Sequence, residues 1–172
     1  MITIRREYVM DVDKIRKIHD EAFKQKNEGK LVDAIRESKY FIPELSLCAV
    51  TDEDELIGHI MFSTIFLETE KETVPTLGLA PMAVLPGHQH QGVGSMLVKE
   101  GKNRCRELGF KHIAVLGHSG FYPRFGFEIS KNKGIEPPFP VPPEAFMVME
   151  LENGSLENLK GRVKYPKAFE SV

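Results

Sequence analysis

The chain has 172 residues, 41% hydrophobic and 28% charged, an ordinary composition that sets the expectation of a single domain over 1–172 with a full core. With 23 basic against 25 acidic residues, the net charge of -2 gives no electrostatic reason to expect nucleic acid or an anionic membrane surface as a partner. MITIRREYVMDVDKI has no apolar run of signal-peptide length, no later run approaches a membrane span, and Cys48 and Cys105 belong to no CxxC, so a cytoplasmic protein with two buried free thiols is expected.

Ile2–Arg6 reads as a first strand. Asp11 stands at an N-cap position before Val12, Ile15, Ile18 and Ala22, which recur at helical spacing. A second short helix is expected over Lys30–Ser38, with Leu31, Val32 and Ile35 inward. Leu45–Val50 and Leu56–Phe66 read as a hairpin about the charged turn Asp52–Glu55, and Val74–Leu85 adds a third strand after ETEKET. After QHQGVG, one helical face carries Val93, Met96, Leu97, Gly101, Cys105 and Leu108, and Gly109 is placed to end it. His112–Leu116 is a short strand, so the unit is a βαβ crossover with parallel strands. A short helix over Phe121–Phe125, a proline-rich crossing at Pro137–Pro143 and a strand over Phe146–Leu151 follow, with a loosely patterned tail to Val172. The sum is an α/β (α+β) fold with a mixed sheet, antiparallel in front and with one parallel pair behind.

Two glycines, Gly92 and Gly94, sit where the strand turns into the helix. A helix start leaves amide N–H groups unpaired and carries partial positive charge, so it accepts anions. An empty glycine turn and a phosphate cradle both fit the two glycines alone. A dinucleotide fingerprint is excluded because its third glycine position is Leu97, and a P-loop because Gly94-Ser95-Met96 stands in place of Gly-Lys-Ser/Thr. Pro81, in the middle of LAPMAVL, donates no ladder hydrogen bond and argues against an unbroken strand. The neighbouring main-chain groups so freed need partners. A ligand that is a chain of amides ending in a pyrophosphate meets both needs, pairing with Met82 and Val84 and resting its phosphates on the turn. Coenzyme A is such a ligand.

These residues resemble a known family. LAPMAVLPGHQHQGVGSML is similar to the acyl-CoA-binding motif of the GNAT N-acetyltransferases, with Gln89, Gly92 and Gly94 in the motif positions. LSLCAV, LIGHIMFS, VLGHSGFYPRFGF, EAFMVMEL and YPKAF extend the likeness, in order, to the YhbS-like subgroup over most of the chain. The resemblance implies a mostly antiparallel sheet with a splayed parallel strand pair, acetyl-CoA as co-substrate, no metal, and a small-molecule or peptide amine as acceptor. It implies that the main chain at Met82, Ala83 and Val84 binds the thioester carbonyl and pantetheine. Amides of Gln89, His90, Gln91, Gly92, Val93, Gly94 and Ser95 would hold the pyrophosphate. Tyr122 stands where many members place a tyrosine near the cofactor sulfur, and Lys99 and Lys102 are candidate contacts for the adenine end. The acceptor's identity is left open, as is a homodimer.

Two departures stand out. Many members carry a glutamate general base near position 78, where this chain has Gly78 with Thr76 and Ala80 on the same face, and Phe121 replaces a second tyrosine. Tyr122 is the candidate acid for the departing thiolate, since a phenol near ~10 can protonate a thiolate whose thiol titrates near ~8.5 at little cost. His118 is the candidate base, against an equal reading as a loop histidine. The missing glutamate keeps a non-catalytic acyl-CoA-binding module open beside the enzyme. His88-x-His90 reads as turn chemistry, His59 as a hydrogen-bonded structural histidine, and PPFPVPP as a rigid loop bordering the active site.

Overall fold

A computed structural model describes residues 1–171. Its strands are β1 (Thr3–Arg6), β2 (Ser46–Val50), β3 (Leu56–Thr69), β4 (Thr73–Val84), β5 (His112–Leu116), β6 (Glu128–Ile129), β7 (Ile135–Glu136), β8 (Phe146–Glu150) and β9 (Gly161–Lys164). The helices are α1 (Val12–Phe23), α2 (Asn27–Arg36) and α3 (Val93–Glu107). Hydrogen bonding orders the sheet of the described residues β1-β2-β3-β4-β5-β8-β6, with β9 paired to β3 and β7. β1–β2, β2–β3, β5–β8, β6–β8 and β3–β9 are antiparallel. β4 and β5 are parallel at Leu77↔Ile113 and Gly78↔Ala114, as the βαβ reading requires, and a second short parallel pairing joins β7 to β9.

The residues group into two compact units, each discontinuous in sequence. The first takes Met1–Ser63, Ala80–Arg104 and the C-terminal segment from Lys167; the second takes Thr64–Leu79 and Cys105–Pro166. In the first, Ile15 and Ile18 of α1 and Leu31, Val32 and Ile35 of α2 cover one face of the sheet with Cys48, Val50, Met61 and Ala83. Gly101 of α3 lets the Phe62 ring pack against the helix backbone, in the space a Cβ would fill. In the second, Ile113, Ala114 and Val115 of β5 are buried with Met147, Val148 and Met149 of β8.

Several expectations change. The Asp11 side chain does not cap α1; it accepts Tyr8 N–H at 2.6 Å and Arg5 Nη1 at 2.7 Å, because its backbone is already helical. α2 starts three residues early, at Asn27, where Gly29 lies close against α1 at Arg16 and Asp20. Met96 and Leu108 are 37% and 46% exposed, so the inward stripe of α3 is narrower than the pattern suggested. Gly109 does end that helix, with φ +89° and the paired bonds Gly109 N–H to Arg106 C=O and Phe110 N–H to Cys105 C=O. β4 runs through Pro81 without a break, and the peptide before it is cis. The β4–β5 pairing joins Leu77 and Gly78 to Ile113 and Ala114, short of Pro81. The tail holds β9, which the sequence pattern did not reveal: in this four-residue strand only Val163 is buried. Cys48 and Cys105 are free and buried, as expected.

Candidate active site

The glycine turn lies in the first unit. Leu85 N–H donates to Ile57 C=O at 2.8 Å, which holds the end of β4 against β3. Pro86 opens a single 3-10 turn over Pro86–His88, suited to its fixed φ. His90 (φ +63°) and Gly92 (φ +85°) then take left-handed conformations two residues apart, so the chain reverses and α3 begins at Val93. Glycine carries this at no steric cost, whereas His90 bears a strain of about 1–2 kcal/mol. Val93 and Leu97 are buried and anchor the helix start. Gly58 allows the approach, since a Cβ there would meet Leu97 Cδ1 at 3.1 Å and Val93 Cγ1 at 3.3 Å. Gln89 Nε2 donates to Val84 C=O at 3.0 Å, a brace from turn to strand end that the motif spelling did not disclose.

Gln89, His90, Gln91 and Gly92 are exposed, and Gly94 and Ser95 half-exposed. The first helical bond is Met96 N–H to Gly92 C=O at 3.0 Å. The amides of Val93, Gly94 and Ser95 precede it and have no intrahelical acceptor. A Cβ on Gly92 would meet nothing within 4 Å, so the turn faces open space at Gly92. Such a helix start attracts an anion by its partial positive charge and its amide donors. On β4, Met82 and Val84 are half-buried while Pro81 and Ala83 are buried, so alternate residues present their surface.

Tyr122 and His118 lie in the second unit, after β5. Gly117 N–H donates to Ala145 C=O at 2.8 Å. His118 C=O accepts Phe121 N–H at 3.1 Å and Tyr122 N–H at 3.3 Å, which folds the loop into the 3-10 turn Tyr122–Phe125. The Tyr122 ring stands edge-on to Phe121 and Phe127, at 5.0 and 5.6 Å. It is 7% exposed, and burial pushes its phenol up to about 12. The His118 side chain is exposed, so main-chain bonds, not its imidazole, fix the loop.

Position 78 is packed. A Cβ on Gly78 would meet Ile65 Cγ2 at 2.9 Å, so an isoleucine fills the space beside this position. Two residues away Thr76 Oγ1 lies 2.5 Å from His112 Nδ1, a pair not anticipated from the sequence because His112 heads an apolar strand. His59 is fully buried and hydrogen-bonded to Ser46 and His19, which bears out its structural reading. His88 lies 3.8 Å from Glu55, and His90 points outward. PPFPVPP is an ordered loop: Arg162 Nη1 donates to Pro137 C=O at 3.2 Å, and Phe139 packs on Tyr165. Lys99 is exposed on α3.

A strand, a glycine turn that leads into helix amides without intrahelical acceptors, and a returning parallel strand form one unit of the fold. The family described as the acetyltransferase (GNAT) family matches residues 12–127. The chain is 37% identical to the uncharacterized N-acetyltransferase YjhQ of Escherichia coli over 90% of its length and 86% of that protein's. It is 32% identical to the uncharacterized N-acetyltransferase YhbS of the same organism, over 96% and 97%. The crystal structure of E. coli YhbS in complex with CoA superposes with a TM-score of 0.90 at 31% identity, covering 98% of this chain and 92% of that one. A GNAT family acetyltransferase from Brucella melitensis in complex with acetyl-CoA gives 0.78 at 30% identity, over 98% of each chain. The protein belongs to the GNAT family of N-acetyltransferases.

Proposed function

We propose that the protein moves an acetyl group directly from acetyl-CoA to a primary amine, on a small molecule or a peptide, in the cytoplasm. The observation that carries this reading is the open glycine turn, where Gly92 clears the approach to the amides of Val93, Gly94 and Ser95. Membership of an enzyme family favours catalysis over a non-catalytic acyl-CoA-binding module.

Met82 holds the thioester carbonyl through its main chain, polarising it as oxyanion charge develops. Ala83 spaces it from Val84, whose main chain pairs with the pantetheine amides. The amides from Gln89 through His90, Gln91, Gly92, Val93 and Gly94 to Ser95 hold the pyrophosphate. Tyr122 serves the departing sulfur. Its phenol, pushed up to about 12, stays protonated through neutral pH. A thiol near ~8.5 is the stronger acid, so Tyr122 stabilises the thiolate chiefly by donating a hydrogen bond. His118, exposed in the same loop, accepts the amine proton and passes it to solvent.

A thermal-shift titration tests the donor. Acetyl-CoA or CoA at 100 times its Kd adds about 2.7 kcal/mol of stability, whereas NAD and ATP add none. Incubation with acetyl-CoA and a panel of primary amines then reads transfer as released thiol. Absence of any CoA effect overturns the proposal, and His118→Ala with an unaltered acid limb of kcat removes His118 from it.

A further inference from the structure

Five side chains from five segments of the first unit form one polar chain, part-buried at Arg36 and Glu7 and fully buried from Ser46 onward. Arg36 of α2 donates from Nε and Nη2 to the two oxygens of Glu7, both at 2.9 Å. The Ser46 hydroxyl of β2 donates to Glu7 Oε1. His59 Nε2 of β3 lies 2.8 Å from that hydroxyl oxygen, and its Nδ1 lies 2.9 Å from Nε2 of His19 on α1. Ser46, His59 and His19 are 0% exposed. At the far end, His19 Nδ1 is buried without a hydrogen-bond partner among the described residues.

The direction of every bond follows from the Glu7 end. A carboxylate gripped by a guanidinium only accepts. Ser46 has one proton and gives it to Glu7, so its oxygen must accept from His59 Nε2–H. Complete burial and the nearby Arg36 oppose charging either ring, which leaves His59 neutral with a bare Nδ1. That nitrogen accepts from His19 Nε2–H. His19 is then neutral as well, and its Nδ1 is a bare lone pair. The Phe23 ring lies parallel to it at 6.2 Å, and the Nδ1 lone pair, which lies in the ring plane, accepts only a donor that enters in that plane. A buried polar atom without a partner is uncommon, and one whose tautomer is set by three fixed neighbours is a built acceptor.

We infer that His19 Nδ1 is a preformed hydrogen-bond acceptor for one N–H or O–H donor held inside the first unit. An internal water is one source of that donor. The amine of the acceptor substrate is the other, and that source rests on the acetyl transfer proposed above.

The test is histidine 15N NMR on the full chain at pH 7.5, first alone and then with CoA and propylamine. Both His19 and His59 are expected as Nε2–H tautomers, with the His19 Nδ1 signal displaced from the free imine position toward that of a hydrogen-bonded nitrogen. Displacement in the protein alone, with cross-relaxation to water, assigns an internal water. Displacement only after propylamine and CoA assigns the amine. An Nδ1–H tautomer at His19, or an unbonded imine signal in both samples, overturns the inference. Ser46→Ala removes the group that sets the order, so both rings should become tautomeric mixtures; unchanged tautomers in that variant also overturn it. Turnover is read on a parallel sample in which acetyl-CoA replaces CoA: a bound-donor signal without turnover sinks the transferase reading and leaves the His19 site standing.

Discussion

The ring of Tyr122 occupies the space in which a Cβ on Gly117 would stand. The two residues flank the 118–121 loop, so the absence of a side chain at 117 sets where the phenol packs. Gly117→Ala should push the ring away and lower kcat while leaving the Kd for CoA within a factor of about two, because the glycine turn is untouched. Tyr122→Phe, which keeps the packing and removes the hydroxyl, should lower kcat by about 10²-fold, the usual cost of removing one hydrogen-bond donor to developing negative charge. Steady-state kinetics with a calorimetric Kd check both. Full kcat in Tyr122→Phe across pH would remove the phenol from the mechanism.

Gly92 separates conformation from binding. A Cβ there meets nothing in the protein, so Gly92→Ala loses only the left-handed backbone preference, about 1–2 kcal/mol. The added methyl would stand over the amides proposed for the pyrophosphate. Gly92→Ala should therefore weaken CoA binding at least tenfold with a fall of only a few degrees in Tm. Equal CoA affinity in the variant would show that the turn is not the cradle.

Restoring a glutamate at position 78 should not restore a base. Ile65 Cγ2 lies 2.9 Å from the position of the new Cβ, and overpacking of this kind costs about 1–3 kcal/mol. Gly78→Glu should unfold at lower urea concentration and show no gain in kcat. A faster enzyme would mean that the isoleucine can yield.

The buried imidazoles make the fold acid-sensitive. Burial lowers His19 to about 3 and His59 well below its ordinary value. Below pH ~6.5 the unfolded chain binds protons that the folded chain refuses, so stability is full above that pH and falls as pH drops. The slope should approach about 1.4 kcal/mol per pH unit for each histidine, with His112, also lowered by burial, adding in the same direction. Urea unfolding between pH 7.5 and 5 measures it; a flat profile would contradict neutral buried rings.

Much of this molecule could be read from its residues because each signal was local. The 3.6-residue stripes placed α1 and α3. The β4–turn–α3–β5 unit followed from QHQGVG and HIAVL, and Gly109 supplied its own stop signal. What escaped depended on neighbours distant in sequence. β9 is a strand because β3 offers Phe66–Thr69 as a partner, not because GRVK alternates. The Asp11 carboxylate was claimed by Arg5 and the Tyr8 amide instead of by the helix it precedes. The glycine turn at Gly92 and Gly94 was legible, whereas the Gln89 brace, the Ile65 side chain over Gly78 and the Glu7–Ser46–His59–His19 chain were not. Each of those joins residues from separate elements, and no spacing rule encodes it.

The two cysteines carry a last consequence. Cys48 and Cys105 are 0% exposed, and burial pushes both thiols up to about 12. A disulfide dye needs a reachable thiolate, so the native enzyme should stay colourless with such a reagent for the length of a kinetic trace. Every unit of colour that grows in a mixture of protein, acetyl-CoA and amine then reports coenzyme thiol. Buried sulfur thus makes the protein optically silent in the assay most suited to finding its acceptor.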